Sequence, residues 1–278
     1  MSDDKNPTTP VNSGDVVEEI KKELESSAPS KKKRIFEKFA LAALGSIPWV
    51  GGFISAAASL KTEEGDIKAN NLQTKWLEEH EQKMNKLGGT MNDIGSRFEA
   101  LGEEIDERIQ SEEYLDIVRK AFRTWDNSDT DEKRGYIANL ITNSAGTRLC
   151  SDDVVRLFID WLALYHEAHF AVIREIYKIP GVTRLDIWSE LYGETPTENS
   201  AEADLYKLLI RDLSMGGVIR QDRETNYDGQ FMKKKTQRNR GSTKTMESAF
   251  EGSKPYVLTE LGKQFVHYTM SDVIQRLE

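Results

Sequence analysis

The sequence predicts a mainly α-helical fold with a small β-hairpin near the C-terminus. The first observation is a stretch without charged residues, 39–60, which is long enough for two short helices. The second is a heptad repeat of apolar residues over 77–105, a pattern typical of a long coiled-coil helix. The third is a pair of short segments typical of strands, the alternating 218–221 and the apolar 256–258, which follow a series of capped helices.

The length and charge of the chain limit the number of domains and the classes of partner. A chain of 278 residues corresponds to about two domains. Its formal charge of -9 argues against a general nucleic-acid-binding protein, because such proteins are strongly basic. Any basic surface therefore has to be local. Along the chain we expect a disordered tail with a short amphipathic helix (1–30), a hydrophobic hairpin with a coiled-coil stalk (31–112), a helical middle (113–168) and a C-terminal domain (169–278).

The N-terminal segment carries one helical signal. Val16, Val17, Ile20 and Leu24 have the spacing of a short amphipathic helix, which ends at the serine- and proline-bearing residues 26–30. The other face of this helix is acidic and is suited to pair with a basic neighbour. The segment is polar and carries no secretory signal, and a single cysteine fits a reducing cytosol. We therefore expect a cytoplasmic protein that becomes membrane-associated on activation.

The uncharged stretch 39–60 has more than one interpretation. About 20 apolar residues suffice to cross a bilayer, but Pro48 and the pair Gly51-Gly52 interrupt this stretch, so we predict a hairpin of two short helices. The hairpin is either buried in a soluble or oligomeric assembly or inserted into a membrane, conditionally or constitutively. The residues expected to contact a membrane are Phe39, Leu44, Ile47, Trp49, Phe53 and Ile54.

A basic cluster of four residues lies just before the hairpin. Lys31, Lys32, Lys33 and Arg34 are candidate contacts for lipid headgroups or phosphate, because lysines beside an apolar segment bind anionic lipids with about 1 kcal/mol each. The alternative is a solvated start to a helix.

The heptad repeat is the strongest periodic signal in the chain. Its a and d positions run from Leu77 to Ile105 with only His80 polar, and such a seam has to be buried against another chain, the hairpin or the downstream helices. Glycines recur beside the seam at Gly88, Gly95 and Gly102; they either admit a close helix or break this one. The residues expected to mediate self-association are Leu87, Met91, Ile94, Phe98, Leu101 and Ile105. If the seam also hides the hairpin, the hairpin is packed at rest and exposed only when the stalk rearranges.

The middle of the chain offers no catalytic or metal signature. The aspartates of 126–131 lack the glycine and the final acid of a calcium loop, so we interpret Asp129 as a helix cap for a helix over 132–144. A second helix is predicted from Ser151 to about Tyr177. His166 and His169 lie three residues apart instead of the four that a zinc-protease helix requires, and we interpret them as structural. Cys150 is likewise interpreted as structural, so we expect no metal, no cofactor and no enzymatic activity.

The C-terminal domain resembles a winged helix. A capped helix over 182–188 follows Pro180-Gly181. The next helix, over 200–215, is expected to face inward with Leu205, Leu208, Leu209 and Leu213. The segments GGVIRQ and YVLTELGKQF then predict a strand, a wing, a second strand and a last helix. The wing supplies candidate nucleic-acid contacts at Lys233, Lys234, Lys235, Arg238 and Arg240. The mixed charge of the third helix is poor for reading bases, so a protein partner is the other interpretation.

In layout, and in the terminal LTELGKQF, residues 35–270 are similar to the abortive-infection alpha family of bacterial phage-defence proteins. The resemblance implies a setting in bacterial defence and no site residues. We therefore expect a non-enzymatic defence or cell-death effector that associates with a membrane through 39–60, forms homo-oligomers through the heptad helix, and docks a protein or nucleic acid at the winged helix. We expect no small-molecule substrate. The alternative function is a winged-helix nucleic-acid-binding regulator with an N-terminal dimerisation stalk.

Overall fold

A computed structural model describes residues 31–62, 70–223, 227–228, 232 and 248–270. Of residues 31–34, 57–62, 70–75 and 77 it describes the helical backbone and not the side chains. The chain divides into two compact units, with the boundary between Ala163 and Leu164. The prediction of a mainly helical fold is confirmed, since both units consist largely of helices.

The first unit is entirely helical over the part of it that the structure describes. Its helices are α1 (Lys31–Gly45), α2 (Pro48–Thr62), α3 (Asn70–Leu101), α4 (Asp106–Gln110), α5 (Glu112–Asp126), α6 (Asp131–Gly146) and α7 (Asp152–Leu164), with a 3₁₀ turn at Glu103–Ile105. Helix α1 packs on α4 and α5, α2 packs on α3, and α6 packs on both α3 and α5. The core therefore lies between the hairpin α1–α2 on one side and α3, α5 and α6 on the other.

The predicted hairpin is present and turns at Ser46. The Ser46 hydroxyl donates to the carbonyl of Ala43 at 2.7 Å, and Pro48 begins α2 as its first residue, where a missing N–H costs nothing. Phe39 on α1 is fully buried, with its ring 5.2 Å from that of Phe98 and 6.0 Å from that of Phe122. The hairpin thus contributes its large side chains to the core of the first unit.

The heptad helix is one continuous helix through Gly88 and Gly89. Its seam is buried within the same chain at Met84, Leu87, Met91, Ile94 and Phe98. The packing partners are the hairpin and α6, so intramolecular burial accounts for the repeat, and self-association through the seam stays a prediction.

Two of the seam glycines have different roles, which corrects the expectation of one stripe. A Cβ on Gly95 would lie 3.1 Å from the Phe36 ring, so this glycine does admit a close helix. Gly102 instead ends α3 with a φ of 78°, a conformation that glycine adopts without strain. Ile105 therefore lies in the 3₁₀ turn and not in the coiled-coil helix.

Two expectations for the middle of the chain are wrong in detail. Thr130, and not Asp129, caps α6, because its hydroxyl accepts the backbone N–H of Lys133. The helix expected to run from 151 to 177 is two helices, α7 and α8 (Glu167–Lys178). They separate at Tyr165 and His166, where the Nδ1 atom of His169 accepts the backbone N–H of His166 at 3.1 Å and starts the second helix.

The second unit has the topology of a winged helix. After α8 come β1 (Val182–Thr183), α9 (Arg184–Tyr192), α10 (Ala201–Met215), β2 (Ile219–Gln221), β3 (Pro255–Leu258) and α11 (Glu260–Thr269). The strands form an antiparallel sheet in the order β1-β3-β2, with Val182 opposite Tyr256 and Arg220 opposite Val257. The predicted β-hairpin is therefore one part of a three-stranded sheet.

Two local predictions in this unit need correction. Val182 and Thr183 form β1, and the helix expected at 182 begins at Arg184 with Thr183 as its cap. Leu205 and Leu208 are exposed on α10, whereas the buried residues are Ala203, Tyr206, Leu209, Ile210 and Leu213. The buried set follows the three-and-four spacing of one helix face, which Leu205 and Leu208 do not share.

A close approach between β2 and α11 requires glycine. The Thr259 backbone N–H donates to the carbonyl of Val218 at 3.0 Å, and the Thr259 hydroxyl caps α11 by accepting the N–H of Gly262 at 2.9 Å. A Cβ on Gly262 would lie 2.1 Å from the Val218 carbonyl oxygen. Any side chain at residue 262 therefore has to push β2 and α11 apart.

We expect Gly262→Ala to lower the free energy of unfolding of the second unit by about 1–3 kcal/mol, the cost of overpacking a core. Gly135→Ala on α6 is the control, since its Cβ would meet nothing within 4 Å. The control is expected to stabilise the first unit by up to about 1 kcal/mol, because alanine favours helices. Urea unfolding followed by circular dichroism measures both variants, and equal effects would contradict the packing described for Gly262.

Candidate functional site

The hairpin α1–α2 has a buried face and an exposed face. Phe39, Ile47 and Phe53, which we expected at a membrane, are buried in the core. Leu44 and Trp49 are half-buried, and of the six expected contacts Ile54 is the exposed one, at 40%. The six residues therefore do not share one exposed surface in the resting protein, because helical geometry sends them to opposite sides. Their contact with a membrane stays a prediction.

From Leu41 to Ser55 the exposed face of the hairpin carries apolar and small residues without charge, whereas the exposed charged residues Glu37 and Lys38 lie one turn earlier on α1. Leu41, at 66% exposure, is its largest apolar side chain, and the sequence analysis did not single it out. Its position two residues after Phe39 places it on the opposite side of α1, which is the signal that identifies it. We call this surface the outer face; its residues are Leu41, Gly45, Pro48, Gly51, Gly52, Ile54 and Ser55.

The two arms of the hairpin meet at a sharp angle. In the part of the chain that the structure describes, no single helix is both long and apolar enough to cross a bilayer. The arms Ile35–Gly45 and Pro48–Ala56 meet that requirement only as a pair, by length and composition, and they are bent by 98°. The hairpin therefore has the shape of a bent pair and not of a straight span.

A hydrogen bond and an ion pair fasten the hairpin to the helices below it. The indole Nε1 atom of Trp49 donates to the Asp126 carboxylate at 2.7 Å, and the Lys83 ammonium lies 2.6 Å from the same oxygen. The same ammonium lies 5.4 Å from the centre of the Trp49 ring, within cation–π range. The Asp126 side chain is 12% exposed, so this contact is well shielded from water. We call Trp49, Lys83 and Asp126 the tryptophan anchor.

Next to the tryptophan anchor, aromatic rings on α3 stack on one another, and this stacking explains why the polar His80 lies in the seam. The His80 ring stacks on the Trp76 ring at 4.2 Å and lies 5.2 Å from the Trp49 ring. Its Nδ1 atom lies 2.8 Å from the carbonyl oxygen of Trp76, one turn earlier. Phe53 closes the cluster, with its ring 6.3 Å from that of Trp76. His80 is thus a packing partner for the hairpin.

Sequence reasoning missed Asp126 and Lys83, although Asp126 leaves a signal. It is the last residue of α5, where the negative end of the helix dipole disfavours a carboxylate. An acid in that position indicates a compensating partner, and the tryptophan anchor supplies two. Lys83 has no such signal, because a lysine on an exposed helix turn is ordinary.

The other predicted contact residues fall in different places. The backbone of Lys31, Lys32, Lys33 and Arg34 forms the first turn of α1, and their side chains lie outside the described part. Lys233, Lys234, Lys235, Arg238 and Arg240 lie outside the described residues altogether. Of the six residues expected to mediate self-association, Leu101 is half-buried against Gly146 and the other five are buried.

The described residues contain no group of three metal-ligating side chains that a metal ion would need. His166 and His169 form the start of α8, in line with their structural interpretation. On α10 the exposed residues combine mixed charge, at Glu202, Asp204 and Arg211, with the apolar side chains of Leu205, Leu208 and Met215. This mixed charge is poor for reading base edges in a major groove.

We expect Asp126→Ala to loosen the hairpin. Removal of the carboxylate leaves the Trp49 N–H and the Lys83 ammonium without their shared acceptor, which costs about 1–3 kcal/mol of unfolding free energy. Hydrogen exchange measured by mass spectrometry should accelerate in peptides that cover 48–56. Asp160→Ala is the control, since Asp160 pairs with Lys120 at the surface and is 60% exposed. Equal acceleration in both variants would show that the tryptophan anchor does not restrain the hairpin.

Comparison with known proteins identifies no relative of this chain. Scans against protein-family models, curated proteins and solved structures found no match to the chain.

Proposed function

We propose that the protein is a non-enzymatic effector that associates with membranes through the α1–α2 hairpin. The observation that carries this proposal is the outer face, an uncharged and exposed surface on a hairpin that continues from the basic cluster at 31–34. A soluble helix ordinarily exposes charged and polar side chains. The outer face instead exposes the apolar side chains of Leu41 and Ile54, among glycines, a proline and a serine.

The outer face and the basic cluster together fit the interface of an anionic bilayer. Amphipathic helices bind there by burying an apolar face while basic residues hold the headgroups. Lys31, Lys32, Lys33 and Arg34 add about 1 kcal/mol each near such a surface. This mode of binding leaves the buried face of the hairpin in the core of the protein.

Deeper insertion requires release of the tryptophan anchor. Phe39, Ile47 and Phe53 are buried in the resting protein and reach a bilayer only if the hairpin leaves α3 and α5. Because Phe39 packs on Phe98 and Trp49 packs on His80, the same movement uncovers these two seam positions of α3. Release of the hairpin and self-association through the heptad helix are thereby coupled in this proposal.

The biological setting is bacterial defence. It rests on the similarity in layout to the abortive-infection alpha family and on the short LTELGKQF ending. Insertion that depends on Phe39, Ile47 and Phe53, which are buried at rest, agrees with a cell-death effector, since a constitutively inserted protein would harm its host before infection.

Vesicle binding tests the membrane proposal. We expect Leu41→Glu with Ile54→Glu to abolish sedimentation of the full chain with phosphatidylcholine vesicles that contain phosphatidylserine, because two charges on the outer face oppose burial. Both residues are exposed, so folding should be retained, whereas substitutions at Ile47 or Phe53 would disrupt the core. Tyr177→Glu with Leu205→Glu, two exposed apolar positions of the second unit, is the matched control. Absence of binding by the wild type, or equal binding by both double variants, would contradict the proposal.

Nucleic-acid binding is the second candidate function, and the winged-helix topology favours it. The segment that joins β2 to β3 occupies the position of the wing and contains Lys233, Lys234, Lys235 and Arg238. Basic residues in a wing bind phosphates in a salt-dependent way.

We expect replacement of these four residues by alanine to abolish any salt-sensitive binding of duplex DNA in a gel-shift assay. A control with Lys86, Arg97, Lys120 and Arg156 replaced removes the same charge from ion pairs on the first unit. A wild-type chain that gives no shift at low salt removes this candidate.

A further inference from the structure

An open groove runs between α1 and α5 on the first unit. Its volume is about 590 Å³, and Leu41 and Ala42 of α1 and Leu115 of α5 give it an apolar floor. Arg123 extends it into a second hollow of about 420 Å³ farther along α5. The groove is therefore long enough for several helical turns.

The rim of this groove is basic. Lys38, Arg119 and Arg123 line it, against one acidic lining residue, Glu112. Arg119 pairs with the Asp116 carboxylate at 2.6 Å and with the Glu112 carboxylate at 3.3 Å, and the hydrogen bond to Asp116 raises the pKa of its guanidinium. Lys38 and Arg123 supply the remaining positive charge of the rim. Arg123 donates from Nε to the Arg119 carbonyl at 3.2 Å, which leaves its terminal nitrogens available for a further acceptor. A ligand for this surface needs one apolar face and an acidic edge.

Residues 14–25 of the same chain have that chemistry. Val16, Val17, Ile20 and Leu24 form one apolar face at helical spacing. Five acids and two lysines accompany them; the acids are Asp15, Glu18, Glu19, Glu23 and Glu25. This segment precedes the described part of the chain.

The length of the intervening chain permits this segment to reach the groove. Residues 26–30 span up to about 17 Å when extended, and the rise along α1 from Lys31 to Leu41 is about 15 Å. Ser26, Ser27 and Pro29 favour a turn there. A segment that folds back runs antiparallel to α1 and brings Leu24 near Lys38 and Ile20 near Leu41.

We propose that residues 14–25 dock as an amphipathic helix in the groove between α1 and α5, antiparallel to α1, and compete there with an anionic membrane. The docked helix covers Leu41 and neutralises the basic rim. Its docking stands independently of the membrane proposal, whereas its role as an inhibitor of membrane contact rests on that proposed function.

Disulfide trapping in the full chain tests the docking. In a Cys150→Ser background, Ile20→Cys with Leu41→Cys should form an intramolecular disulfide at least about tenfold faster than Ile20→Cys with Ala100→Cys on the exposed side of α3. Glu18→Lys with Glu19→Lys should slow the reaction, and Arg119→Glu with Arg123→Glu should restore it in the combined variant. Equal rates for the two cysteine pairs overturn the proposal, and so does a disulfide formed mainly between two chains, which would assign the groove to a second copy.

Vesicle binding by the trapped chain separates the docking from the proposed function. We expect the disulfide-locked protein to bind phosphatidylserine-containing vesicles at least about tenfold more weakly than the same protein after reduction. Equal binding in both states overturns the inhibitory role while the docking stands. A protein that forms the disulfide and binds no vesicles even after reduction keeps the docking and contradicts the membrane function.

Discussion

The packing of Phe39 between Phe98 and Phe122 is the contact on which the first unit depends. It joins the hairpin to the heptad helix and to α5 at one point, with ring centres 5.2 and 6.0 Å from that of Phe39. Full burial of a phenylalanine side chain stabilises a protein by about 1.5–3 kcal/mol. Any movement that exposes the hairpin has to offset this free energy of burial. The packed state is therefore the resting state.

The tryptophan anchor differs in kind from this apolar packing. Trp49 donates to Asp126 in a specific geometry, and Lys83 balances the charge of the carboxylate. Such a contact holds one orientation of the second arm, whereas apolar burial tolerates small shifts. The hairpin is therefore held by a broad apolar surface near Phe39 and by a directional contact near Trp49.

The sequence left two interpretations of the heptad seam open, burial inside one chain and self-association between chains, and the structure shows the first. The side chains that fit a coiled-coil dimer are the side chains that the hairpin and α6 cover. The self-association proposed above therefore requires that the hairpin or α6 first leave this stripe. Competition of this type, in which release of one partner frees the site for another, is a general basis for two-state behaviour.

The sequence by itself determined the elements whose signals are local. Pro48 and Gly51-Gly52 predicted the hairpin, and the heptad repeat predicted the long helix but left a break near Gly88 open. Turn and cap residues predicted the order of elements that gives a winged helix. The break at Tyr165 was missed because the capping group is the side chain of His169, an unusual residue for that role. Strand β1 was missed because two residues are too short to show a period, and its pairing partner β3 lies more than seventy residues away in the chain.

Only the tertiary structure decided which surfaces meet. Six hairpin residues were expected at a membrane on composition, but helical geometry and the positions of α3 and α5 bury Phe39, Ile47 and Phe53 and leave Leu41 outside. The anchor pairs Trp49 with an acid that follows it by 77 positions in the chain. Sequence patterns report how apolar a face is over a few turns, and they carry no information on which distant face covers it. That choice is made by long-range packing.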